Sequence, residues 1–226
     1  MERIPGFMAS AYSKAAKMAI GTYYSEVADE IASGLKSGKA LDLGTGPGYL
    51  DIEIVKRVPS IRIDGIDLTA ELIDIARVNA LEAGVADRLH FKVMNAAELK
   101  FEGDSYDMVF STGMLHSLKK PDTIIKVLNE CYRVLRPDGE AWIYDPAKVS
   151  SGIDKKVWMT MLTLGEKFFY RLFAFWALFD RPHYYTRAEV VQIIASTKFN
   201  AYQIEDKDDE IRIKLRKPEP AADKYR

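Results

Sequence analysis

Residues 40–50 read Ala-Leu-Asp-Leu-Gly-Thr-Gly-Pro-Gly-Tyr-Leu, so Asp42, Gly44, Gly46 and Gly48 stand at alternate positions after a short apolar run. Glycine has no Cβ, and a loop built from it can turn sharply and bring backbone amides against a ligand. An apolar run that enters such a loop and leaves it as an amphipathic helix is the strand-to-helix turn at which nucleotide-binding α/β folds hold small ligands. Spacing then discriminates. A dinucleotide fingerprint requires a third glycine where this chain has Tyr49. Other reactive types are sparse. The histidines, His90, His116 and His183, lie far apart without metal-ligand spacing, and the single cysteine is Cys131. Cys131 falls on one helical face with Ile124, Leu128 and Leu135, which reads as an inert core thiol.

Alternating patterns must position these residues. Ile20, Tyr24, Val27, Ile31 and Leu35 share a helical face that ends near Gly34 to Gly38. A strand over 39–43 leads into the glycine loop, and a helix through Ile52 and Val55 stops at Pro59. Further strands are expected over 61–68, 89–94, 106–111 and 140–144, with helices over 72–83 and 122–135. Pro137-Asp138-Gly139 reads as the turn before the fifth strand. Residues 186–196 resume a helix, and 199–205 with 210–215 read as a closing hairpin. Alternation of this kind predicts a parallel sheet covered on both faces. With 226 residues and no long linker, one domain over 1–216 is expected. Within it, 1–37 form an N-terminal helical lid and 147–185 an aromatic helical insert, and 217–226 are a disordered tail.

The motifs in order resemble those of the class I S-adenosylmethionine-dependent methyltransferases, over roughly residues 20–146. The nearest branch contains the ubiquinone and menaquinone methyltransferases and many small-molecule enzymes. Asp42-x-Gly44-x-Gly46-x-Gly48 resembles the family's first motif, and Gly65-Ile66-Asp67-Leu68 its second. The implied fold is α/β, a Rossmann-like class I methyltransferase sandwich. It has a mostly parallel seven-stranded sheet, a C-terminal antiparallel hairpin and helices on both faces.

The resemblance implies S-adenosylmethionine as cofactor, held by Asp42, Gly44, Thr45, Gly46, Gly48 and Tyr49. Asp67 would take both ribose hydroxyls, since a carboxylate is acceptor-only. Asp67 also reads as a helix cap ahead of Thr69 and Glu71. Leu68 would lie beside the adenine, and the Asn95-Ala96 loop would cup it, Asn95 standing where the family commonly has Asp. Ser111, at the end of the fourth strand, would border the methyl group.

A sulfonium methyl is already activated, so holding a nucleophile in line does most of the work. A base is needed only where the acceptor must lose a proton. His116, on the loop after the fourth strand, is the candidate, because an imidazole titrates near neutral pH. A site-lining or helix-capping role is its alternative. Tyr12, Tyr23, Met114, Tyr184 and Tyr185 are the other candidates to line the acceptor pocket. The expected acceptor is a small organic molecule of apolar or aromatic character. A non-catalytic S-adenosylmethionine-binding protein and a nicotinamide dehydrogenase are the alternatives.

Macromolecular acceptors fit poorly. The chain has 32 basic and 33 acidic residues and no basic block, which disfavours nucleic acid. Ser111-Thr112-Gly113-Met114 lacks the proline pair of amino-type DNA methyltransferases, and Cys131 sits mid-helix. Residues 154–180 form an amphipathic segment with Trp158, Leu162, Phe169, Leu172, Trp176 and Phe179 on one side. Glu166, Lys167 and Arg171 interrupt it, which argues against a transmembrane helix. A cap over an apolar substrate, a homodimer face and a peripheral membrane contact compete for it. A cytoplasmic enzyme without a metal is the simplest expectation.

Overall fold

The computed structural model describes residues 4–146, 183–207 and 209–219. Five strands run parallel: β1 (Gly38–Leu43), β2 (Ile61–Asp67), β3 (Leu89–Val93), β4 (Tyr106–Thr112) and β5 (Leu135–Pro146). The closing strands β6 (Ala201–Lys207) and β7 (Glu210–Arg216) form an antiparallel hairpin, with Lys207 opposite Glu210. β7 inserts antiparallel beside β5, giving the order β3-β2-β1-β4-β5-β7-β6.

Each face of the sheet carries its own core because side chains alternate along a strand. On one face lie α2 (Ser25–Gly34), α3 (Tyr49–Arg57) and α4 (Ala70–Glu82). Val27, Ile31, Ile54, Val55, Ile73 and Ala76 pack there on Ile61, Ile63, Met108 and Phe110. On the other face lie α5 (Pro121–Val134) and α6 (Arg187–Ala195), whose Ile124, Leu128, Val190 and Ile194 pack on Leu41, Val109, Ile143 and Ile213. Cys131 is fully buried in that second core, and burial pushes its thiol up to about 12, so it is inert at neutral pH.

Local chemistry accounts for the boundaries. Pro121 opens α5 at a position where a missing N–H costs nothing. Thr186 and Glu189 form a reciprocal capping box at the start of α6. Three departures from the sequence pattern are informative. The helix expected over 20–35 is interrupted by a five-residue π-helical turn, Ile20–Tyr24, between α1 (Ala9–Lys17) and α2. Periodicity alone could not show this, because one extra residue per turn merely rotates the face. The turn at 137–139 is absorbed into β5 as a bulge, with Asp138 at φ 67° and the register to β4 shifting between Tyr106 and Met108. Pairing also runs on into the expected tail: Lys217 donates its N–H to Gly139 (3.0 Å) and its Nζ to the Leu135 carbonyl (2.6 Å). The aromatic segment 154–180 lies outside the described residues.

Candidate functional site

In a parallel sheet, ligands sit beyond the carboxyl ends of the strands. At the end of β1 the chain makes three left-handed turns, at Gly44 (φ 83°), Gly46 (φ 54°) and Gly48 (φ 75°). A side chain is excluded at Gly48 twice over, since a Cβ there would also stand 2.9 Å from Phe91. The loop is pinned from three directions. Gly44 and Thr45 donate their N–H groups to the Ile66 carbonyl (2.8 and 3.0 Å). Asn79 of α4 donates to the Pro47 carbonyl at 2.8 Å. Gly46 donates its N–H to Asp67 Oδ2 at 3.2 Å.

Asp67 ends β2 next to that loop. Its other oxygen accepts the Thr69 N–H at 2.8 Å. It therefore makes an Asx-type turn into α4 and faces the glycine loop at once, and each oxygen keeps a second lone pair. Burial raises its pKa, against the lowering effect of the backbone N–H groups. Leu68 beside it is half-buried. Asn95 follows β3, and its Oδ1 accepts the Ala97 N–H at 3.0 Å, bending the loop that holds buried Ala96.

The N-terminal segment crosses this end of the sheet. Thr69 donates its hydroxyl to the Ile4 carbonyl (3.1 Å), and the Tyr12 ring lies 3.5 Å from where a Gly46 Cβ would stand. Burial and the carboxylates of Asp67 and Asp42 push the Tyr12 hydroxyl up to about 12. Ser13 pairs with the Tyr49 hydroxyl at 3.1 Å. Farther along, Tyr23 in the π turn donates to Glu210 at 2.5 Å. The other oxygen of Glu210 takes Arg212 Nε at 2.7 Å, and Arg212 also reaches Glu26 and Glu30 on α2 (3.0 and 2.7 Å).

The segment after β4 completes the rim. Met114 approaches Gly44 to 3.6 Å of a notional Cβ, which brings the β4 loop against the glycine loop. His116 follows in a single 3-10 turn, Leu115–Ser117. Its Nδ1 lies 2.8 Å from Asp145 Oδ1, and its backbone N–H donates to Oδ2 of the same residue at 2.9 Å. Asp145 lies at the penultimate position of β5 and is 2% exposed. The Tyr184 ring stacks on the imidazole with centroids 5.9 Å apart.

Most of the residues singled out in the sequence converge at this end of the sheet. Two differ in use. Ser111 is fully buried and donates its hydroxyl to the Leu43 carbonyl at 2.7 Å, binding β4 to β1. Tyr185 turns inward, its hydroxyl on the Leu118 carbonyl at 2.5 Å, and packs in the α5–α6 core. Tyr12 lies over the glycine loop, whereas Tyr23 and Tyr184 lie toward β5 and β7. Two residues at the site had escaped notice. Asp145 was hidden because nothing in the sequence links the end of β5 to His116, and Asp51 because it reads as an ordinary first-turn acid of α3.

Comparison with known proteins matches the glycine loop and the strands after it. Residues 40–139 match the family model described as a methyltransferase domain. Over these residues, somewhat under half of the chain, the sequence is similar to methyltransferase domains. The chain is 34% identical over 111 residues to a ubiquinone/menaquinone biosynthesis C-methyltransferase of Citrifermentans bemidjiense, covering 48% of this chain and 46% of that one. It is 30% identical to a demethylmenaquinone methyltransferase of Lactobacillus johnsonii, over 57% and 52% of the two chains. The match thus spans about half the length of these curated relatives. In fold, the chain resembles a Methanosarcina mazei SAM-dependent methyltransferase (TM-score 0.62, 18% identity, 82% and 95% of the two chains). It also resembles a Streptomyces coelicolor geranyl diphosphate C-methyltransferase (TM-score 0.59, 12% identity, 80% and 70% covered).

The glycine cradle fits the cofactor of that family. A Cβ at Gly48 would strike Phe91, amides and carboxylates border the turn, and Asp42 keeps a buried oxygen without a partner. Among the described residues no His, Cys, Asp or Glu cluster has a metal-binding arrangement, and no helix is long and apolar enough to cross a membrane.

Proposed function

We propose that this protein transfers a methyl group from S-adenosylmethionine to a small organic acceptor of apolar or aromatic character, leaving S-adenosylhomocysteine. The observation that carries the reading is the closure of the Gly44–Gly48 loop onto Asp67, with the His116–Asp145 pair on the adjoining rim. Asp42, Thr45 and Tyr49 would hold the methionine end, and Asp67 the ribose hydroxyls. Leu68, Asn95 and Ala96 would line the adenine. Ser111 supports this from below by fixing β4 to β1. The bound cofactor supplies an activated sulfonium methyl.

The chain's own residues then orient the acceptor and manage its proton. In the tautomer whose Nδ1 donates to Asp145, the lone pair lies on Nε2, where a base would take the proton. A general base suits an acceptor that must lose a proton, such as a hydroxyl or a carbon acid. Met114, Tyr23 and Tyr184 would border that acceptor, and the aromatic rings favour a flat or apolar one. The names of the curated relatives, which refer to quinone biosynthesis, point the same way. We extend the proposal to one domain over 1–216 with the N-terminal segment as its lid, working in the cytoplasm. The 154–180 segment would serve as a cap or a homodimer face.

The test is transfer of labelled methyl from S-adenosylmethionine into a host-cell extract separated into organic, small polar and macromolecular fractions. Label in the organic fraction supports the reading. Label confined to macromolecules overturns the acceptor class, and binding without transfer to any fraction overturns catalysis.

A further inference from the structure

Among the described residues, Asp51 is an acidic group at the cradle that the proposed transfer leaves unused. It lies in the first turn of α3 and is fully buried, and its Oδ2 accepts the Thr45 hydroxyl. Its Oδ1 has no hydrogen-bond partner, and neither has Oδ1 of Asp42, which is 2% exposed. A buried polar atom without a partner is costly, and two adjacent buried carboxylates add repulsion to that cost.

The groups that face the pair do not relieve it. Among the described residues they are Thr45 from the loop, Tyr12 from α1, Tyr24 from the π turn and Asp67 from β2, all neutral or acidic. A single shared proton does relieve it, because one carboxyl then donates to the other. Burial, and after it the charge of Asp51, pushes Asp42 well above the usual carboxylate range; burial pushes Asp51 up to about 7.

We propose that Asp42 and Asp51 share one proton in the ligand-free protein and release it when a cation enters the cradle, forming a two-carboxylate counter-charge for S-adenosylmethionine. The inference rests on the cofactor assignment above. One O–H bond of the pair breaks, the proton leaves to solvent, and no electrons change hands. The ligand's positive charge takes the place of the proton as the partner of the two orphaned oxygens. Cofactor binding is thereby linked to pH through Asp51, a residue with no direct part in the transfer.

Calorimetric titration of the full chain with S-adenosylmethionine, in buffers of different ionisation enthalpy, counts the protons released. Between about pH 5 and 6.5 the ligand's own amine is nearly fully charged, so release reports the protein. The expected result is release approaching one proton per site, with affinity strengthening up to about tenfold per pH unit below neutrality. In Asp51→Asn, release is lost and the affinity becomes flat with pH. Binding by the wild type without proton release overturns the inference and leaves the cofactor assignment standing. Absence of binding at every pH overturns the cofactor assignment itself. Should Asp51→Asn fail to fold, the wild-type proton count decides alone.

Discussion

Nδ1 of His116 lies 2.8 Å from Oδ1 of Asp145, and the same carboxylate takes the His116 backbone N–H at 2.9 Å. The imidazole is thus held at two points by a residue near the end of a neighbouring strand. Asp145→Asn keeps the shape but can donate to Nδ1, which favours the tautomer with the proton on Nε2. Turnover is expected to fall by about 10²–10⁴-fold, the range of a general-base contribution. Affinity for S-adenosylmethionine should stay within twofold, roughly the error of an unaffected site. Equal losses in binding and turnover, read by calorimetry and methyl transfer, would show that Asp145 only holds the fold together.

His116→Gln separates a base from a lining residue. As a base, its loss lowers kcat and leaves cofactor affinity intact; as a lining residue, its loss raises KM for the acceptor alone. Steady-state kinetics with any accepted phenol or carbon acid distinguishes the two.

Asp67→Ala removes a group that meets both the glycine loop and the turn into α4. Hydrogen bonds to a charged group are worth about 1.5–3 kcal/mol, so affinity for S-adenosylmethionine should fall by about 10- to 150-fold. Unchanged affinity would remove Asp67 from the ribose.

Gly48→Ala combines a positive φ of 75° with a Cβ 2.9 Å from the Phe91 ring. Strain of this kind costs about 1–3 kcal/mol. For a chain of this size the midpoint of thermal unfolding should drop by about 2–12 °C. A midpoint equal to the wild type would show that the loop relaxes without cost.

The buried acid pair also sets a sign for stability against pH. Both carboxyls have folded pKa values raised by burial. Their contribution is therefore fully present below the unfolded value of about 4 and is lost as pH rises through the folded values, about 7 for Asp51. Ligand-free wild type should lose stability relative to Asp51→Asn across that window. Chemical denaturation at fixed pH steps measures the difference, and a constant difference would contradict the account.

The sequence carried some parts of this structure and not others, for physical reasons. Asp42, the three glycines and Asp67 are local signals: each residue's role follows from backbone freedom or from its place at a strand end. Alternating apolar runs likewise announced the parallel strands. The π turn at Ile20–Tyr24 has no such signature, and it moves Tyr23 onto Glu210, 187 residues away along the chain. Asp145 acquires meaning only when β5 pairs with β4 and brings it under His116. Tyr185 looked like its neighbour Tyr184 in sequence, yet successive side chains point apart, and only one of the two reaches the imidazole. Asp51 was concealed by a common pattern, since acids are ordinary in a first helical turn and burial is invisible until the loop folds over it.

A crystal structure with S-adenosylhomocysteine decides whether the glycine loop and Asp67 together form the cofactor cradle. The Asp67 carboxylate is expected within hydrogen-bond distance of both ribose hydroxyls, with the Gly44–Gly48 loop against the homocysteine end. A ligand seated elsewhere, with Asp67 bound only to Gly46 and Thr69, would contradict it.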